Sequence, residues 1–513
     1  MPRIHIDGQP FDARTEQTVL QVADEHGIFI PRLCWHPQLS VAGNCRICVV
    51  QVEGRSWVEI SCNMPVSEGL KVLTDSELVR AHRKATMQFL TLNHPVDCGI
   101  CDKAGECTLQ DYHVAFNGQA SISAEPKVAS TKFYALSERI TLDNERCILC
   151  TRCVRFTREV SKSHALGVRE RGDHSVIRPA GGAARKLDED PYSDNIVDLC
   201  PVGALLSRSF LHRDRVWTLK ATPSVCPGCE RGCAIDIWHR KPEWLLRSPS
   251  PGAQRENRAI ARVTPQGVRH GDRPGDVPSP SSAEAYASAP PPGPWICNKG
   301  RDLAKLLERP RALAAMKKGR EVPFAEAVAA AHELLDRARR PVALVSGWAS
   351  NEELLAFKRT LGSRFTCFVK ADHMPAEGEV LHDDLLIRAD KNPNTRRARE
   401  FFGSATPAFP PDTDLVLVWG EGFDFATAPR GVPVIFLNAF LAPENGHADV
   451  FFATSVMTER AGHYTNFEGT VRAFLPCFAR PAGVADAEHV FESLAAPGSA
   501  GERKGESAMV TPS

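Results

Sequence analysis

The chain has no excess of charge of either sign. Its 62 Lys and Arg balance its 62 Asp and Glu, so nothing global draws it toward nucleic acid or an anionic membrane. No apolar run approaches the roughly 18 residues of a membrane span. The opening MPRIHIDGQPFD carries no apolar core of a secretory signal. These absences predict a chain made in the cytosol that meets a membrane only through partners. Phosphate loops are missing too. No Gly-Lys dipeptide occurs, so there is no Walker A loop. Gly420-Glu421-Gly422 lacks the third glycine of a dinucleotide fingerprint. His332-Glu333 is not followed by a second His at helical spacing, and no nucleophile stands with a base. No catalytic residue is expected on this chain.

What is present is globular composition, 43% hydrophobic and 24% charged. At roughly 150 residues per domain, 513 residues suggest about three domains. The 17 cysteines, an odd number in a large chain without an export signal, argue against a disulfide framework. All but Cys367 and Cys477 fall before residue 300. Those two read as packing residues. The rest fall into four groups, and groups of reduced thiols point to metal.

The first group is Cys34-x10-Cys45-x2-Cys48-x13-Cys62. Four thiolates, some close and one distant, suit a 2Fe–2S cluster. Gly43 stands where backbone amides can approach the sulfides. A structural zinc site uses the same ligands and stays open here. The second group, His94-x3-Cys98-x2-Cys101-x5-Cys107, has three thiolates and lacks a fourth. A lone His is more often not a ligand, but this vacancy makes His94 the candidate, and an imidazole there should raise the potential. The third group, Cys147-x2-Cys150-x2-Cys153 closed by Cys200-Pro201, has the compact 4Fe–4S spacing of bacterial ferredoxins. Arg146, Arg152, Arg155 and Arg158 around it either screen cluster charge or form a solvated basic face. The fourth group is Cys226-x2-Cys229-x3-Cys233 with Cys297 as closer after a gap of 63 residues. Cys200 and Cys297 could exchange roles.

Residues 1–75 read as a small β-rich domain. Ile4 and Ile6 alternate with polar residues before an Asp7-Gly8 hairpin turn. A helix is predicted over 18–26, strands over 47–52 and 57–60, and a helix capped by Ser76 running to Asn93. That helix should turn Leu78, Val79, Ala85, Phe89 and Leu90 to a core. Residues 94–215 offer few long periodic segments. Residues 274–294 are nearly all Pro, Gly, Ser and Ala, an insertion or linker. After 320 helices (324–340, 351–362) alternate with strands (341–346, 365–369, 415–419, 432–437), an α/β layered pattern.

These residues carry a resemblance. IPRLCWHPQLSVAGNCRICVVQVEG, NHPVDCGICDKAGECTLQD, RCILCTRCVRF and DNIVDLCPVGALLS resemble the G-subunit family of bacterial NADH:quinone oxidoreductase, respiratory complex I. VCPGCERGCAI, WICNKGRDL and ERAGHYTNFEGTVRAF are similar to motifs of molybdopterin oxidoreductases. The resemblance implies an α+β, β-grasp 2Fe–2S ferredoxin-like domain (1–78), a one-histidine three-cysteine 4Fe–4S region (79–120) and a four-cysteine 4Fe–4S region (121–219). It further implies a shortened α/β molybdopterin-oxidoreductase-like domain (220–494, with the insertion at 274–294) and a disordered tail (495–513). One 2Fe–2S and three 4Fe–4S clusters follow, with no molybdenum, and the Cys226 cluster lies off the main path. The path would run through the Cys34, Cys147 and His94 clusters. Partners would be a flavin- and NADH-binding subunit and quinone-side iron–sulfur subunits, with no nucleic acid. The place would be the cytoplasmic face of the bacterial inner membrane, peripheral, within the complex.

Function is therefore expected to be electron transfer in NADH:quinone oxidoreductase, a proton-translocating enzyme, with no NADH or quinone site on this chain. The alternatives are a molybdenum formate dehydrogenase, for which Cys367 is the one candidate metal-bound cysteine, and the diaphorase subunit of an NAD-linked hydrogenase. A zinc-based interaction protein is a third, disfavoured by the Cys-x2-Cys-x2-Cys triad and the lack of basic or aromatic nucleic-acid patches.

Overall fold

Asp7 and Gly8, both at positive φ (51° and 81°), turn the chain between β1 (Arg3–Ile6) and β2 (Gln9–Asp12). The backbone of such a turn needs left-handed residues, which is why Asp-Gly marked it. Ile4 and Ile6 point inward as their alternation required. Thr18 caps α1 (Val19–Glu25) through a capping box with Gln21. Strands β3 (Val49–Val52), β4 (Val58–Ile60) and β5 (Lys71–Leu73) complete a mixed sheet in the order β2-β1-β5-β3-β4. Helix α2 (Glu77–Leu92) starts at Ser76, whose side chain accepts from Val79 N.

The computed structural model describes residues 1–182, 185–248, 250–267, 295–373 and 377–495. The insertion expected at 274–294 and nearly all of the expected tail lie outside the described residues. Among the described residues no helix is long and apolar enough to cross a membrane.

The chain divides into two compact units. One comprises Met1–Cys226, Cys233–Leu306 and His382–Ile387; the other comprises Pro227–Gly232, Leu307–Leu381 and the chain from Arg388 on. Beyond α2 the first unit is built of short pieces: α3 (Thr108–Tyr112), α4 (Arg152–Glu159) and small sheets. One apolar core gathers Cys34, Cys45, Cys107, Cys150, Cys153 and Cys200 with residues such as Phe156, Ile140 and Trp295. Cys48 and Cys62 belong to the core under the β2-β1-β5-β3-β4 sheet.

The second unit holds a seven-stranded sheet. Five strands pair in parallel: Thr366–Lys370, Pro341–Ser346, Leu415–Trp419, Val434–Asn438 and Val450–Ala453. Leu415, Leu417 and Trp419 pack on one face and Val416 and Val418 on the other. Burial on both faces explains why this strand is continuously apolar.

One expectation for α2 fails. Phe89 is 72% exposed, while Val79, Arg83 and Met87 are buried. The inward stripe runs at i, i+4 and i+8 through an arginine, whose Nη2 donates to the Val49 carbonyl at 3.0 Å.

Candidate iron–sulfur sites

The first unit brings the Cys34 group together. Cys34, Cys45, Cys48 and Cys62 are all buried. The thiols pair: a hydrogen bond from Cys45 holds the Cys34 thiol down near about 5 against the opposing effect of burial, helped by the charge of Arg152. A hydrogen bond from Cys62 brings Cys48 to about 7. Cys45 and Cys62 are pushed up in turn, by those same bonds and then by burial. The sulfurs sense one another as charges, so all four face one region.

Cys147, Cys150, Cys153 and Cys200 line a small cavity walled by Leu142, Ile177, Val202 and Leu205. Burial raises Cys150 to about 11, and raises Cys147 and Cys153 too. Four thiols around an apolar hollow fit a group that binds them as thiolates. Cys200 follows the helix Asn195–Leu199; Cys147 and Cys150 lie on the loop leading into α4, and Cys153 is in its first turn.

Cys98 is exposed and Cys101 and Cys107 are buried. Burial raises Cys101, and raises Cys107 to about 12. Gly203 is needed here for space. A Cβ on it would lie 2.1 Å from Cys101 Sγ, so the Cys-Pro-Val-Gly turn after Leu199 seats the Cys101 sulfur. His94 is half-buried. Its Nδ1 is buried with no hydrogen-bond partner, the condition of a ring nitrogen whose acceptor or metal is missing. Burial, then the nearby Arg146, lowers its pKa to about 4.

In the fourth group the Cys226 amide donates to the Cys233 carbonyl at 2.8 Å. A Cβ on Gly300 would lie 3.3 Å from Cys226 Sγ and 3.9 Å from Cys297 Sγ. Cys297 thus stands near Cys226, and Cys200 lines the same cavity as Cys147. Cys229 lies on the 227–232 turn, which falls in the other unit. Among the described residues no three His, Cys, Asp or Glu are grouped to hold a metal ion. Ligands of one zinc converge to about 2.3 Å from a single point, whereas thiolates on different irons of a cluster need not.

The arginines around the third group are not one solvated face. Arg146 and Arg155 are buried, and only Arg158 is exposed. Arg146 pairs with Asp97 at 3.0 Å and Asp143 at 3.2 Å. Arg152 donates to the Trp35 carbonyl at 2.7 Å and the Leu199 carbonyl at 3.2 Å. Arg155 reaches the Cys34 and Cys150 carbonyls. Asn44 Nδ2 donates to the Leu149 carbonyl at 2.8 Å, and Ser40 binds Glu159 through both its amide and its hydroxyl. The loop from Cys34 to Cys45 is thereby bonded to α4 and its approach. Periodicity carried no signal of this, because the partners lie more than 100 residues apart.

Cys367 is half-buried on a strand of the second unit. Burial raises its thiol to about 11, and its Sγ donates to the Phe365 carbonyl at 3.5 Å. A thiol so placed packs. At the carboxyl ends of the parallel strands a cleft is lined by Ser346, Asp372, His373, Glu421, Arg460 and Tyr464, among others, but not by Cys367.

Three family models match the chain in succession. They are a 2Fe-2S iron-sulfur cluster binding domain over residues 2–77, an NADH-ubiquinone oxidoreductase-G iron-sulfur binding region over 83–120, and an NADH-quinone oxidoreductase subunit 3, ferredoxin-like domain over 137–206. The chain is 41% identical over 246 residues to the mitochondrial NADH dehydrogenase (ubiquinone) iron-sulfur protein 1 of Solanum tuberosum, covering 48% of this chain and 33% of the relative. It is 36% identical over 246 residues to the second NADH-quinone oxidoreductase G subunit of Rhizobium meliloti, covering 48% and 28%. It is 36% identical over 250 residues to the NADH-quinone oxidoreductase G subunit of Rickettsia typhi, covering 49% and 36%. The chain thus spans about a third of the length of these relatives. A chain of an NAD+-reducing NiFe-hydrogenase crystal structure shares 30% identity over 42% of this chain and 91% of its own, at a TM-score of 0.38, too loose a superposition to bear on the fold. Within residues 2–206 the chain is thus similar, model by model, to the iron–sulfur domains of NADH-quinone oxidoreductase G subunits.

Proposed function

We propose that the chain is an iron–sulfur electron-transfer subunit of an NADH:quinone oxidoreductase. It would stand between a flavin- and NADH-binding subunit and quinone-side iron–sulfur subunits, peripheral on the cytoplasmic face of the bacterial inner membrane. Cys34, Cys45, Cys48 and Cys62 would hold a 2Fe–2S cluster. His94, Cys98, Cys101 and Cys107 would hold one 4Fe–4S cluster, Cys147, Cys150, Cys153 and Cys200 a second, and Cys226, Cys229, Cys233 and Cys297 a third. When bound, such clusters take up and release single electrons. The protein's own part is to exclude water, fix the sulfurs and set local charge. Burial of ten of these fifteen thiols serves the first task, and the arginine bonds between loops serve the others.

The observation that carries this reading is the order of the three family matches over the first three cysteine groups, with four thiols of the third group around one cavity. The second half would be a molybdopterin-oxidoreductase-like domain without molybdenum. Cys367 supports that, being a half-buried thiol bonded to carbonyls rather than a cleft-lining ligand. The boundaries proposed are 1–78, 79–120, 121–219, 220–494 and a tail.

The test is an assay of the purified, anaerobically reconstituted chain with NADH and an artificial acceptor. No turnover is expected until a flavoprotein partner is added. Robust NADH turnover by the chain alone contradicts the proposal, and formate turnover with bound molybdenum favours a formate dehydrogenase.

A further inference from the structure

Arg155 is a cation placed where a cation is costly. It lies in α4 and is 4% exposed. A buried charge needs an opposite charge as well as hydrogen bonds, yet every acceptor that Arg155 reaches is a neutral oxygen. Nε donates to Thr151 Oγ1 at 3.3 Å, and Nη1 donates to the Ser40 carbonyl. Nη2 donates to the Cys34 carbonyl at 2.5 Å and to the Cys150 carbonyl at 3.2 Å. Glu159, one turn along α4, is bound instead by Ser40 and Arg158. The negative groups that Arg155 senses most are the sulfurs of Cys150 and Cys34, ahead of Glu159. Those two cysteines belong to different candidate clusters. A guanidinium's planar fork can hold several carbonyls in one geometry, which a single ammonium cannot.

We propose that Arg155 is a positioning residue shared by the Cys34 and Cys150 sites: it fixes their two loops at one separation, and its charge favours the reduced form of the group that each would hold. The proposal rests on the iron–sulfur reading. Reduction adds one negative charge to a cluster and breaks no protein bond. A cation nearby in a low-dielectric core stabilises that charge and raises the potential. Arg152 takes the same direction, from the Trp35 carbonyl to the Leu199 carbonyl, but is less buried. A residue that only filled space would leave both potentials where they are when replaced by a neutral side chain of similar size.

The experiment is a redox titration of the full, anaerobically reconstituted chain, with dithionite as the electron source. Electron paramagnetic resonance follows each cluster, and iron and sulfide are counted for every sample. Wild type is compared with Arg155→Gln, Arg155→Met and Arg155→Lys. Iron and sulfide absent from wild type would defeat the iron–sulfur reading itself. With clusters loaded, Arg155→Gln should lower the midpoint potentials of the 2Fe–2S signal and of one 4Fe–4S signal together and leave the remaining signals in place. Arg155→Lys should restore much of the shift. If Arg155→Gln fails to hold iron, Arg155→Met, which needs no buried partner, decides in the same way. Both potentials unmoved, or only one moved, overturns the proposal. So does an Arg155→Lys protein that fares no better than Arg155→Met at both sites.

Discussion

His94 turns on one unpaired atom. Its buried Nδ1 has no hydrogen-bond partner, and burial holds its pKa at about 4. The ring is therefore neutral at pH 7, the form in which an imidazole nitrogen can bind metal. His94→Ala should remove or convert one 4Fe–4S signal in electron paramagnetic resonance and spare the others; an unchanged spectrum at full iron loading contradicts the assignment. Gly203 makes a second claim at the same site. Its Cβ would sit 2.1 Å from Cys101 Sγ, so Gly203→Ala must displace the sulfur. Loss of up to about four irons per chain is expected, the content of one cubane cluster. Retention of all iron would show that the Cys101 sulfur is free to move. Neither the orphaned nitrogen nor the close approach could be read from spacing. The sequence supplied the vacancy beside Cys98, Cys101 and Cys107, and only the fold supplied Gly203.

Helix α2 shows what a single element reveals and hides. Its start was legible because Ser76 is a cap. Its inner face was not, because Arg83 occupies a core position that hydrophobic periodicity counts as polar. Arg83 stays there by donating to the Val49 carbonyl and lying over the Phe116 ring at 5.6 Å. Burial lowers its pKa to about 10. Met87→Ala should therefore cost about 2–5 kcal/mol as a core truncation. Phe89→Ala should stay within about 0.5 kcal/mol as a surface change in the isolated chain. Denaturant melts of the two variants check this, and equal costs would contradict the placement. The strands Pro341–Ser346 and Leu415–Trp419 were legible to the residue, since burial on both faces leaves an unbroken apolar run. The hairpin of Leu219–Val225 and Ala234–Arg240 carries a pH dependence. Its His239 is buried, and with Nδ1–H toward the Arg240 carbonyl its Nε2 accepts from Thr222 Oγ1 at 2.8 Å. Burial lowers its pKa below the ordinary 6.5. A depressed histidine contributes stability that is present above pH about 6.5 and is lost as pH falls through its folded-state value. Amide exchange in this hairpin should quicken on acidification below pH about 6.5, and His239→Gln should flatten the response. Exchange that quickens equally in the variant would place the titration elsewhere.

Across the whole molecule the cysteines divide by count. Four groups of four candidate ligands use 15 cysteines and His94 and leave Cys367 and Cys477. Composition could not foresee that the chain's compact units interleave, with 227–232 in the second unit and His382–Ile387 in the first, because such exchanges depend on contacts between distant segments. The fourth group sets a prediction of its own. Cys297→Ser should damage only the cluster of the Cys226 group, and in an assembled complex NADH:quinone activity should survive better than after Cys150→Ser. Equal collapse would make the fourth cluster necessary to the current. Beneath all of this lies the claim that these side chains hold iron and sulfide. The direct measurement is anaerobic analysis of iron, acid-labile sulfide, zinc and molybdenum per reconstituted chain. One binuclear and three cubane sites predict about 14 irons with matching sulfide and no stoichiometric zinc or molybdenum. Stoichiometric zinc with little sulfide would contradict the account.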